Sequence, residues 1–156
     1  MGKIDDRIAE LGITLPDPQA PVANYVPSVR TGNLIYLSGL GPAAAEDGNT
    51  PNGKLGQDLG TEEGYAAARL VGINMLARMK QAVDGDLDRV KRIVKLLSMV
   101  NSTGDFTEHP QVANGCSDLM VEVFGDKGRH ARSAVGMANL PGNIPVEIEV
   151  ILEVED

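Results

Sequence analysis

The chain has 156 residues, of which 14 Lys and Arg oppose 22 Asp and Glu for a formal net charge of −8. That balance argues against a surface that tracks nucleic-acid phosphates and against a binder of anionic membranes, both of which need basic stripes. A single cysteine excludes an internal disulfide and a cysteine metal cluster, and the near absence of aromatics removes the platforms on which bases stack.

In chain order, Ile4, Ile8 and Leu11 sit at i, i+4 and i+7, which predicts a short amphipathic helix over about 3–11, closed by Gly12. Its sequence lacks the apolar stretch of a signal peptide, and no later run approaches the roughly 20 apolar residues of a membrane span. The expectation is a cytoplasmic protein of one domain over 1–156. Pro16, Pro18 and Pro21 then enforce extended coil. Tyr25–Arg30 and Leu34–Ser38 flank Thr31-Gly32-Asn33 and predict a hairpin, ended by Gly39, Gly41 and Pro42. Residues 43–59, rich in Gly, Asn, Asp and Pro, read as a surface loop.

Thr61 is the expected N-cap of a helix running to about Val83, with Glu62 and Glu63 in its first turn and an apolar stripe of Val71, Met75 and Met79. Ile93–Val100 is apolar on both alternating sets, as in a strand covered on both faces. Pro110 opens a second helix whose buried stripe is Val112, Cys116, Leu119 and Val123, and Gly125 closes it. Arg132–Met137 is a short strand and Leu140–Asn143 a turn. In Val146–Val154 the residues Val146, Ile148, Val150, Leu152 and Val154 face one way, and Glu147, Glu149, Ile151 and Glu153 the other. The fold class is α+β, with two long helices packed on one sheet face.

Few residues offer chemistry. Gly39-Leu40-Gly41-Pro42 lacks the lysine of a phosphate loop. His109 and His130 have no acidic cluster at ligand spacing, so no metal is expected. Ser38 has no histidine partner suggested by spacing. Lys91, Arg92 and Lys95 form a local basic patch, read as a solubility device on a strand edge. Arg132, at a strand start, offers planar bidentate recognition of a carboxylate. Glu147 begins its strand beside a turn. If the last two strands form a simple antiparallel hairpin, Glu147 pairs near Met137 and lies roughly 16 Å from Arg132. The two then meet only across a subunit interface.

Asn24-Tyr25-Val26, Gly32 to Gly39, Ala131-Arg132-Ser133-Ala134-Val135, Leu140-Pro141 and Val146-Glu147-Ile148-Glu149 resemble, in order, the Rid (reactive intermediate deaminase) family, also called YjgF. The stretch from Asn114 to Ser133 resembles a divergent subgroup of it. The resemblance implies a chorismate-mutase-like subunit, a homotrimer with clefts between subunits, and no cofactor. Deaminase-type members hydrolyse 2-aminoacrylate-type enamines and imines to a 2-keto acid and ammonia. By that resemblance Arg132 grips the substrate carboxylate, Glu147 lies beside the attacking water, and Tyr25, Ser38, Gly39 and Asn114 line the cleft.

The chain departs from that pattern where many deaminase-type members carry a cysteine and this one carries Ala134. Cys116, on an apolar stripe, reads as a buried and inert thiol. Loop 43–59 is longer than the family pattern. His130 either enters the cleft or serves as a cap or surface residue. A second reading is a non-catalytic trimeric binder of small carboxylate metabolites with a regulatory role. A third, the ribonuclease label attached to the family, is weakened by the net charge.

Overall fold

A computed structural model describes residues 2–156. The chain runs α1 (Lys3–Glu10), β1 (Ser28–Thr31), β2 (Leu34–Leu40), α2 (Thr61–Ala82), β3 (Val90–Asn101), α3 (His109–Phe124), β4 (Ala131–Met137) and β5 (Val146–Val154). The strands form one sheet in the order β1-β2-β5-β3-β4. All neighbours are antiparallel except β3 and β4, which are parallel. This is the mixed α+β architecture expected, with α2 and α3 against each other and against one sheet face.

The alternation of β5 sets the layering. Val146, Ile148, Val150, Leu152 and Val154 are at most 1% exposed and meet Val71, Met75 and Met79 of α2 in the core. Burying such side chains supplies about 1.5–3 kcal/mol each, so a slip of one residue, which would turn Glu147, Glu149 and Glu153 inward, is strongly disfavoured. The α3 stripe of Val112, Cys116, Leu119 and Val123 is buried as predicted.

Several expectations need correction. The hairpin begins at Ser28 rather than Tyr25, because Pro27 has no N–H to give a ladder; its carbonyl instead accepts from the Ser38 N–H at 3.0 Å. The cap of α2 is Gly60, whose N–H donates to Glu63 Oε2 at 2.7 Å, while Thr61 Oγ1 donates to Glu108 across the helix pair. Strand β3 is fully covered on its helix face, where Leu96, Ser98 and Val100 lie, and in part on the other, where Met99 is buried but Leu97 only partly so. β3 is also interior, so the basic patch is not on a strand edge; Lys91 pairs with Glu153 at 3.4 Å. Loop 43–59 is not wholly superficial. Leu55 is fully buried, and Lys54 Nζ donates to Asn101 Oδ1 at 2.6 Å and to the Ala138 carbonyl.

The largest correction concerns the end of the chain. β4 and β5 do not form a hairpin. The long connection through α3 returns the chain to the start of β4 as a parallel crossover, and β5 takes the opposite side of β3. β4 is left as an edge strand.

Candidate functional site

Arg132 is the second residue of β4 and pairs with Leu96, which in turn pairs with Val150. Register therefore places it on the helix face, over α3. Its Nη1 donates to Asn114 Oδ1 at 2.8 Å and to Ser117 Oγ at 3.1 Å. Those two bonds use both hydrogens of Nη1. No described residue accepts from Nε or Nη2, and no described carboxylate forms a salt bridge with Arg132. A half-buried guanidinium thus keeps an unused two-donor edge, the shape that matches a planar carboxylate.

His130 joins this group from behind. Its Nδ1 lies 2.6 Å from the Gly128 carbonyl and its Nε2 lies 2.9 Å from Ser117 Oγ. Burial, and secondarily the charge of Arg132, pushes its pKa below the ordinary 6.5 against the opposing pull of the Gly128 carbonyl.

Glu147 sits elsewhere. It pairs with Met99, three positions along β3 from Leu96, an odd interval that turns its side chain to the face opposite the helices. Burial, then the neighbouring Glu149 charge, raises its pKa above the ordinary 4.5. The carboxylate rests against β2, where the register with β5 shifts between Leu37 and Leu40. The shift is a bulge at Ser38-Gly39. A Cβ at Gly39 would stand 2.8 Å from Glu147 Oε2, so only glycine leaves the carboxylate its place. Ser38 Oγ donates to the Val26 carbonyl at 2.7 Å, which fastens the segment carrying Tyr25 beside the bulge. Tyr25 is 46% exposed.

The seven candidate residues therefore fall into two groups. Arg132, Asn114 and His130 meet on the helix face of the edge strand. Glu147, Gly39, Ser38 and the Tyr25 segment meet on the far side of the sheet. The predicted separation holds within one chain, but its origin is different: an intervening strand and opposite faces, rather than distance along a hairpin. Three cavities of about 610, 580 and 720 Å³ are lined by other residues.

Ser117 escaped the reading of the sequence. The one available signal was its spacing three residues after Asn114, which puts both on one helix face. Cys116 is fully buried and its thiol is pushed up to about 12, the inert state expected of it. Ala134 shares the face of Arg132 and pairs with Ser98. Among the described residues no three His, Cys, Asp or Glu side chains converge as metal ligands, and no helix is long and apolar enough to cross a membrane.

Comparison with known proteins gives a consistent picture. Residues 5–153 match the family described as "YjgF/chorismate_mutase-like, putative endoribonuclease". The chain is 45% identical to Protein TCP17 of Trypanosoma cruzi, over 99% of this chain and 96% of that one. It is 29% identical to a 2-iminobutanoate/2-iminopropanoate deaminase of Dermatophagoides farinae, over 92% and 95% respectively. A crystal structure of an Agrobacterium tumefaciens protein superposes with a TM-score of 0.88 at 44% identity, covering 97% of this chain and 92% of that one.

Proposed function

This chain belongs to the YjgF/chorismate-mutase-like family, also known as Rid, and we propose that it is an enamine/imine deaminase working in the cytoplasm on small 2-aminoacrylate-type carboxylates. The observation that carries this reading is the free Nε/Nη2 edge of Arg132. In the proposed reaction that edge holds the substrate carboxylate. The enamine takes a proton from water at its terminal carbon to become the iminium. A second water adds to the iminium carbon while Glu147 accepts its proton. The carbinolamine takes that proton on nitrogen and collapses, its hydroxyl passing a proton to Glu147 as ammonia leaves, which gives the 2-keto acid. An imine carbon is already electrophilic, so orientation and one proton acceptor suffice. The raised pKa of Glu147 suits that role. No cofactor is invoked.

Because Arg132 and Glu147 lie on opposite faces, the reading also requires a homotrimer in which Arg132 of one copy approaches Glu147 of the next. Val29 and Tyr36 on the face away from the helices, and Val135 on that face at the free edge, are exposed and available for such contact. The deaminase named among the relatives supports the substrate class.

Ala134, in place of the family's frequent cysteine, favours a second reading: a trimeric binder of small carboxylates that turns nothing over. Ammonia release from an enzymatically generated 2-aminoacrylate, measured for the wild type and for Arg132→Ala, separates the two. Release well above background that vanishes in the variant supports the deaminase. Equal background rates, with a 2-keto acid still bound, support the binder.

A further inference from the structure

We propose that Ser117 and His130 are positioning residues for Arg132, a hydrogen-bonded relay that sets which edge of the guanidinium faces the ligand. The inference rests on the reading that Arg132 binds a carboxylate; it adds Ser117 to that site and gives His130 a role through Ser117 rather than against the ligand.

The polarity of the relay is fixed from its far end. The Gly128 carbonyl can only accept, so His130 Nδ1 must carry a hydrogen and donate to it at 2.6 Å. In a neutral imidazole Nε2 is then an acceptor. Ser117 Oγ–H donates to it at 2.9 Å. With its hydrogen so committed, the hydroxyl turns lone pairs toward Arg132 and accepts from Nη1 at 3.1 Å. Asn114 Oδ1 takes the other Nη1 hydrogen at 2.8 Å. The guanidinium cannot rotate without losing one of these bonds, and its Nε–H and Nη2–H are held outward as a side-on fork. An imidazolium at 130 would instead aim a second cationic donor at the same hydroxyl oxygen. Burial and the Arg132 charge both oppose that state.

The far end is itself closely packed. Gly128 ends a short turn, Gly125–Gly128, packed on the last turns of α3. A Cβ there would collide with the Met120 carbonyl, so the glycine backbone is pressed directly against the helix. The carbonyl that starts the relay is thereby tied to α3, the element that also carries Asn114 and Ser117.

The test is binding of 2-oxobutanoate at pH 7.5, by titration calorimetry, to the wild type and to Ser117→Ala, Ser117→Thr, His130→Ala, Ser117→Ala/His130→Ala and Arg132→Ala. Loss of one oriented bond to a charged group predicts about tenfold weaker binding for Ser117→Ala and a similar loss for His130→Ala. Because the two act in series, the double variant should be no weaker than the worse single one, and Ser117→Thr should bind within about twofold of wild type. The imidazole ¹⁵N signals of His130 should report a hydrogen on Nδ1 and an acceptor Nε2 whose shift moves in Ser117→Thr less than in Ser117→Ala. If Arg132→Ala abolishes binding while the Ser117 and His130 variants bind as wild type, or weaken it additively, the relay is overturned and the carboxylate reading stands. If Arg132→Ala binds as wild type, both fall.

Discussion

Arg132 and Glu147 project from opposite faces of one sheet, three register positions apart along β3, which lies between their strands. A site using both must draw on two copies of the chain. Arg132→Ala and Glu147→Gln should each be inactive alone. Unfolded together in equal amounts and refolded, they should regain up to about a quarter of wild-type ammonia release, since each cleft is intact only when one neighbour supplies the arginine and the other the glutamate. A site confined to one copy would recover nothing.

Gly39→Ala should separate stability from turnover. The added Cβ meets the far end of the Glu147 side chain, which can swing aside, so the thermal midpoint should change little. The displaced carboxylate should lower kcat by about ten- to a hundredfold. Steady-state rates and a melting curve on one preparation check both halves.

Glu147→Gln should melt at a higher temperature while losing activity. The wild-type pKa is raised from 4.5, chiefly by burial, so the folded chain carries a charge it holds at a cost. Above the raised pKa that cost is present in full. As pH falls through it toward 4.5 the folded state takes up the proton first and the wild type gains stability relative to the variant. Deaminase activity should fall over the same interval as the proton acceptor is lost, which a kcat/KM profile would show as an acid limb above 4.5.

His130 works in the other direction. Its folded pKa lies below 6.5, so the unfolded chain binds a proton first as the solution is acidified. Its stabilising contribution is complete above 6.5 and is lost as pH falls to the folded value. The groups that meet it are Ser117 from α3, Arg132 from β4 and the Gly128 carbonyl from the turn between them. Denaturant titrations of wild type and His130→Gln between pH 8 and 5 should converge as pH drops.

Ser98→Ala should stabilise the protein. Ser98 is fully buried on the helix face of β3, and its hydroxyl has no hydrogen-bond partner among the described residues. Removing an unsatisfied buried hydroxyl while keeping the shape is worth about 1 kcal/mol, readable as a shift in urea midpoint.

Much of the architecture was legible in the sequence because its signals are local. The alternation of Val146–Val154, the stripe around Cys116 and the proline opening α3 each set a burial pattern that the fold obeys. Strand order was not legible. The choice between a β4–β5 hairpin and insertion of β5 beside β3 depends on partners distant in sequence, which periodicity does not encode. The same gap explains the site. Arg132 and Glu147 could be picked out one by one, but their opposite faces follow from the odd register interval between Leu96 and Met99, their partners on β3. Ser117 stayed hidden because a serine on a helix acquires meaning only from what the turn at Gly128 and His130 brings against it.

The placement of β5 also bears on how the chain is made. Its partners β2 and β3 are both synthesised before it, and they lie on either side of a gap that only β5 fills. During translation the sheet is therefore split down its middle, with two unpaired strand edges facing each other until the ribosome releases Val146–Val154. Completion of the sheet must wait for that insertion.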